Sequence, residues 1–161
     1  MADWMGFFTA ELGAAAALAG LVMVAISINL PKILEDPSLP GRAAETLALP
    51  TGVLVVASYV LVPGQPPVAL GSEIVGAGAL MWLLPTYLQL RLRRAQGRGA
   101  RWQTFVPRVL LTQFSALPII AAGVMILEGA PNAFYWMVPG VITALISTVI
   151  NAWVLLVEIL R

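Results

Sequence analysis

The chain has 161 residues, of which 60% are hydrophobic and 11% charged, with a formal net charge of +1 and a mean hydropathy of +0.90. This composition lies outside the globular range and predicts a single transmembrane helical domain over residues 1–161, without a separate soluble domain. The absence of cysteine and histidine excludes disulfides, thiolate or imidazole metal sites and the usual proton carrier near neutral pH. We therefore predict a protein that is not an enzyme, without metal, cofactor or nucleic-acid partner.

Five apolar segments predict an all-α fold with five transmembrane helices. They cover residues 5–30, 43–62, 70–92, 107–127 and 134–160. Each is long enough to cross a hydrocarbon core, which takes about 20 residues. Prolines inside three of them, Pro50, Pro85 and Pro118, predict kinks. We expect residues 31–46, which contain three prolines, to form an interfacial loop, and Pro107 to open the fourth helix.

The first segment carries the most regular pattern. Glycine or serine recurs every seven residues, at Gly6, Gly13, Gly20 and Ser27, and we call these four positions the glycine strip. Small side chains allow helices to approach closely in a membrane. Glu11 lies far from the strip in azimuth, and a carboxyl in a membrane span is not expected to face lipid. We therefore predict that this helix is central, enclosed on both sides, and that several protomers share it in a homo-oligomer.

All basic residues fall on one side of this five-helix topology. They are Lys32, Arg42, Arg91, Arg93, Arg94, Arg98, Arg101, Arg108 and Arg161. The positive-inside rule then places the N-terminus outside and the C-terminus in the cytoplasm. Arginine is used far more often than lysine, which is typical of GC-rich bacterial genes. We predict a multi-pass protein of the bacterial inner membrane.

The stretch from Arg91 to Arg108, around the connection of the third and fourth helices, holds six of these arginines. Topology alone explains them, and binding of anionic lipid headgroups is a second role, worth about 1 kcal/mol per residue near the surface. We assume that an aromatic side chain anchors the group at the interface. The candidate headgroup-binding residues are Arg91, Arg93, Arg94, Arg98, Arg101, Trp102 and Arg108.

The last segment also carries small and polar residues on one face, at Gly140, Ala144, Ser147 and Asn151. One interpretation is helix packing through Gly140 and Ala144, with hydrogen bonds across the interface. The other is that Ser147 and Asn151, with Asn29 and Gln113, line a water-accessible path, because amides replace part of the hydration of a solute.

Acidic residues gather on the opposite side, at Asp3, Glu11, Glu73 and Glu128. They predict a negative outer mouth where no basic residue neutralises them. For Glu73 the simpler interpretation is a carboxylate at a helix N-terminus, which the helix dipole favours. At the other side, Arg42 and Glu45 are three residues apart and predict a local ion pair.

Three functions remain open. The first is a homo-oligomeric channel or permease-like protein that gathers small cations at its acidic mouth. Its polar path is formed by Glu11, Asn29, Gln113, Ser147, Asn151 and Glu73. The second is a non-catalytic membrane regulatory or lipid-binding module, and the third an intramembrane enzyme using Glu11 or Arg42. A wet cavity touching Glu11, Asn29 and Asn151 favours the first, and a dry bundle favours the second.

Overall fold

The computed structural model describes residues 2–36, 39–96 and 102–158, and helices are its only regular structure in these ranges. They are α1 (Ala2–Ile28), α2 (Leu30–Glu35), α3 (Leu39–Leu61), α4 (Pro67–Gln96), α5 (Trp102–Leu127) and α6 (Ala133–Trp153), followed by a π-helical turn, Val154–Glu158. All but the short α2 are long and apolar enough to span a membrane. The predicted all-α class with five candidate transmembrane helices is confirmed.

Large apolar side chains cover the sides of this bundle. Leu21, Leu80 and Phe114 are each more than 60% exposed, and similar residues are exposed on α1, α4, α5 and α6. A soluble monomer rarely exposes apolar patches of more than a few hundred Å². Together with the five long apolar helices, this surface is that of a multi-pass membrane protein.

Several helix boundaries differ from the sequence prediction. The expected loop over residues 31–46 is mostly helical, because α2 follows Asn29 directly and α3 already begins at Leu39. Helix α5 begins at Trp102, so the prediction that Pro107 opens it is wrong. Proline removes only one backbone hydrogen bond, and in membrane helices neighbouring groups compensate for it. A proline therefore does not define where such a helix starts.

The long helices pack mainly on their neighbours in sequence. α1 contacts α3 and α6, α3 contacts α4, α4 contacts α5, and α5 contacts α6, while α3 also touches α6. In the most apolar window of α1 only 17% of the residues are buried, against 39% in α3. The prediction of a central first helix is therefore wrong within the chain. α1 lies at the edge and contacts two long helices, whereas α3 contacts three.

The closest backbone-to-backbone contacts between helices are made by glycines of α4, α5 and α6. A Cβ added to Gly123 would lie 2.9 Å from the Val75 nitrogen, and one added to Gly71 would lie 3.0 Å from the Gly123 oxygen. A Cβ on Gly140 would lie 2.8 Å from the Ser115 oxygen. Backbone therefore meets backbone at both interfaces, as expected where small residues drive helix association.

The two ends of the bundle differ in charge. The end at which α1, α4 and α6 finish, and α3 and α5 begin, carries all the described basic residues, and we call it the basic end. They are Lys32, Arg42, Arg91, Arg93, Arg94 and Arg108. At the other end, Trp4 packs on Phe134 and Tyr135 with ring centroids 5.9 and 4.8 Å apart. These ring contacts hold the first turns of α1 and α6 side by side.

Candidate functional site

The residues predicted to line a path lie in different parts of the bundle, and most of them form hydrogen bonds with other residues of the chain. Gln113 accepts a hydrogen bond of 2.7 Å from Trp82 Nε1 at the α4–α5 interface. Asn151 donates to Ser147 Oγ, one turn earlier on α6, over 3.4 Å. Glu73 accepts a hydrogen bond from Gln65, and because α4 begins at Pro67 it lies in the second turn.

The two polar residues of the first segment also lie apart. Asn29 is 3% exposed, and its Nδ2 donates to the Ala25 oxygen over 3.0 Å and to the Leu155 oxygen over 3.3 Å. It therefore ties the junction of α1 and α2 to the π-helical turn. Glu11 lies between the fully buried Phe8 and Ala15 on the inward face of α1. Its Oε2 is buried and has no hydrogen-bond partner in the described part of the chain.

None of the three concave surfaces described below is lined by any of the six predicted path residues. Apolar side chains fill most of the interior between the helices. Leu49, Ile74, Ile119 and Met137 are each at most 1% exposed. Within one chain, the arrangement is that of a packed bundle.

The glycine strip faces away from the bundle. No heavy atom lies within 4 Å of a Cβ added to Gly6, Gly13 or Gly20, and the exposed Ser27 donates to the Met23 oxygen of its own helix. Gly140 and Ala144 of α6, in contrast, are buried. The structure thus brings the small residues of the last helix, but not those of the first, against another helix of the chain.

A cluster of buried polar side chains near the basic end was missed by the sequence analysis, and we call it the Glu45 cluster. Arg108 of α5 forms an ion pair with Glu45 of α3, and Gln89 of α4 donates to Glu45 and, over 2.9 Å, to Thr112 Oγ1. Glu45, Gln89 and Thr112 are at most 3% exposed. The cluster therefore joins three helices through one buried carboxylate.

The predicted pairing of Glu45 with Arg42, one turn away, did not anticipate this contact with α5. The sequence does carry one indication of it, which is the position of these residues along their helices. Glu45, Gln89 and Arg108 all lie a few residues inside the basic end. The Gln89 Oε1 and Arg108 Nε atoms are buried without a hydrogen-bond partner among the described residues. The cluster thus keeps one unused acceptor and one unused donor.

The predicted headgroup-binding arginines have different environments. Arg108 belongs to the Glu45 cluster, and the guanidinium of Arg93 lies 4.5 Å from the centroid of the Phe105 ring. These two residues connect helices. Arg98, Arg101 and the side chain of Trp102 lie outside the described residues.

Arg91 and Arg94, in contrast, are exposed at the end of α4. With Tyr87 and Leu90 they line a concave surface of about 260 Å³, which we call the arginine concavity. No carboxylate lines it. A second concave surface at the basic end, of about 460 Å³, has mixed charge because Glu35 and Asp36 line it beside Lys32 and Arg42.

An apolar groove of about 360 Å³ runs between α3 and α4 on the outer side of the bundle, and we call it the α3–α4 groove. Small residues of α3 leave the space that forms it. The lining includes Ala44, Ala48, Thr51 and Gly52 from α3 and Ala77 and Leu84 from α4. Ala44, Thr51 and Leu84 are exposed, so the groove opens sideways, toward the lipid that surrounds a membrane protein.

Neither a family model, nor a curated protein, nor a solved structure matches this chain. The chemistry available at the basic end is that of cationic side chains beside apolar surface. Such an arrangement can bind an anion that carries an apolar part.

Proposed function

We propose that the protein is a non-catalytic lipid-binding module of the bacterial inner membrane that recognises anionic headgroups at its basic end. The observation that carries this proposal is the exposure of Arg91 and Arg94 beside a packed interior. Cationic side chains at the membrane surface attract anionic lipid. Except for Glu11, the polar side chains predicted to line a path form hydrogen bonds within the bundle instead.

The proposed orientation has the basic end in the cytoplasm. All described basic residues share that end, and the positive-inside rule assigns such an end to the cytoplasmic side. The N-terminus, where α1 begins, is then outside. In this orientation the arginines meet the leaflet that is rich in anionic lipid.

The test is native mass spectrometry of the purified protein from micelles that contain phosphatidylglycerol and phosphatidylcholine with identical acyl chains. We expect the wild type to retain phosphatidylglycerol preferentially. A variant with Arg91, Arg94, Arg98 and Arg101 all changed to Gln should lose this preference and still insert into the membrane. A wild type without any preference would refute the proposed function and leave topology as the role of the arginines.

We further propose that the protein forms a homo-oligomer through the glycine strip. The strip faces outward with open space beside Gly6, Gly13 and Gly20. A helix of a second copy can approach such a surface closely. The partner would be the same surface in a two-fold dimer, because an isologous contact pairs one patch with itself.

A second candidate function is the homo-oligomeric channel for small cations. It is favoured by Glu11, whose buried Oε2 has no hydrogen-bond partner among the described residues. Glu11 faces the bundle, however, and lies on the side of α1 opposite to the glycine strip. Contact between copies through the strip would therefore not bring this carboxyl into a shared path, which is why the lipid-binding module is the better supported function.

A further inference from the structure

The α3–α4 groove and the arginine concavity lie on one continuous face of α4. Met81 and Leu84 line the groove, and Tyr87 and Arg91 line the concavity. Spacings of three and four residues place successive side chains on the same side of a helix. Arg91 is two turns beyond Leu84, a distance of about 10 Å along the axis.

The packing of α3 on α4 fixes how far the groove reaches toward the arginines. The helices are antiparallel, with Gly52 opposite Met81 and Gly41 opposite Leu92, where an added Cβ would lie 3.3 Å from Leu92 Cδ1. Counting along both helices from these contacts, Ala44 lies level with residue 89. The groove therefore ends about half a turn, or about 3 Å, from the level of Arg91.

The two surfaces differ sharply in polarity. Thr51 is the one residue with a polar side chain that lines the groove, and its hydroxyl already donates to the Leu47 oxygen over 2.8 Å. The groove thus offers an apolar surface without an unused hydrogen-bonding group. The concavity offers two guanidinium groups that no described carboxylate neutralises.

We infer that the groove and the concavity form one binding site for a single anionic glycerophospholipid. An acyl chain lies in the α3–α4 groove, and the phosphate contacts Arg91 and Arg94. This inference rests on the proposed function and deepens it, because it assigns the lipid to defined residues. The arrangement of the two surfaces matches a phospholipid, whose acyl chain lies toward the membrane centre and whose anionic headgroup lies at the basic end.

A second copy of the chain is a poorer occupant of this site. All copies in one membrane have the same orientation, so a neighbouring helix in the groove would bring its own basic end beside Arg91 and Arg94. Like charges at this separation repel each other. A phospholipid with an anionic headgroup neutralises the arginines instead.

The experiment measures how many lipids one protomer retains, and their selectivity, by native mass spectrometry with palmitoyl-oleoyl phosphatidylglycerol and the matching phosphatidylcholine. Two arginines acting together at the surface predict a preference for phosphatidylglycerol of about thirty-fold. We expect the wild type to retain one tightly bound phosphatidylglycerol. Glycerol 3-phosphate and inorganic phosphate should not displace it, because they have no acyl chain.

Matched variants separate this site from a diffuse positive field. R91Q/R94Q should abolish the preference, while K32Q/R42Q, with the same change in net charge at the mixed-charge concave surface, should retain it. Ala48→Phe, which fills the groove without a change in charge, should remove the bound lipid. Ala14→Phe, on the exposed side of α1, should not. Circular dichroism checks folding, and Ala44→Leu replaces Ala48→Phe if that variant does not fold.

Three results would overturn the inference. The first is equal loss of preference in R91Q/R94Q and K32Q/R42Q, which would indicate a diffuse field. The second is an unchanged bound lipid in a folded Ala48→Phe or Ala44→Leu variant, and the third is displacement by inorganic phosphate. In all three cases the wild type still prefers phosphatidylglycerol, so the proposed function stands although the site is wrong.

Discussion

Substitution of Arg108 by Met should destabilise the protein strongly, because it leaves the Glu45 carboxylate without its counter-ion. Glu45 is 3% exposed, so water cannot replace the lost guanidinium. Breaking a buried ion pair by removing one partner costs about 3 to 5 kcal/mol. Methionine retains much of the apolar stem of arginine, so the loss reports on charge rather than on volume.

Substitution of Glu45 by Gln should lower the free energy of unfolding less than Arg108→Met. When Glu45 is changed to Gln, Arg108 keeps 22% of its side chain exposed and can still be solvated. In addition, the unused Oε1 of Gln89 can accept a hydrogen bond from the new amide. We expect a loss of about 1.5 to 3 kcal/mol, the contribution of a hydrogen bond to a charged group. The double variant Glu45→Leu with Arg108→Met should be more stable than Arg108→Met alone, since no buried charge remains.

The assay is unfolding in mixed dodecyl maltoside and sodium dodecyl sulfate micelles, followed by circular dichroism. Trp82→Phe is the comparator, because it removes the neutral hydrogen bond to Gln113 between α4 and α5. Such bonds contribute about 0.6 kcal/mol in membrane proteins. If Arg108→Met lost no more free energy of unfolding than Trp82→Phe, the ion pair would not stabilise the bundle and the reasoning would fail.

The other predictions concern topology, assembly and transport. Single cysteines introduced into this cysteine-free chain should react with an impermeant maleimide from outside at Ala130, but at Gly99 only after the membrane is opened. The reverse pattern would invert the proposed orientation. Gly13→Leu should dissociate the oligomer in light-scattering measurements, while Gly76→Leu, at an equally open position on α4, should not; an assembly of unchanged mass in Gly13→Leu would exclude the glycine strip as the interface. Glu11→Gln should raise the melting temperature, because a partly buried carboxyl is replaced by a less polar amide, and vesicles with either version should show no cation flux. Flux that depends on Glu11 would favour the channel instead.

The five spanning helices were predictable because each is dictated by its own residues. Length and hydropathy are properties of a segment, and a membrane allows little choice of structure for an apolar stretch of this length. The ends were harder to predict. Prolines such as Pro107 lie inside helices that continue past them, since the loss of one hydrogen bond does not outweigh the packing of the helix.

The arrangement of the helices was not predictable from the same patterns. The glycine strip lies on one side of α1, and its pattern contains no information on which helix, if any, lies against that side. The Glu45 cluster shows the same gap, because Glu45 is 44 residues from Gln89 and 63 from Arg108. Periodicity within one helix identifies a face, whereas the partner of that face depends on the whole bundle.

The order of contacts around the bundle also bears on how the chain reaches its structure during synthesis. α3, α4, α5 and α6 each pack on the long helix that precedes them, so a newly inserted helix finds its first partner already in the bilayer. Among the described long helices, the contacts between helices that are not consecutive in the chain are those of α6 with α1 and α3, and they form when the last helix is in place. A chain made from the N-terminus can therefore assemble stepwise, as hairpins that add in sequence, and the bundle closes when α6 arrives.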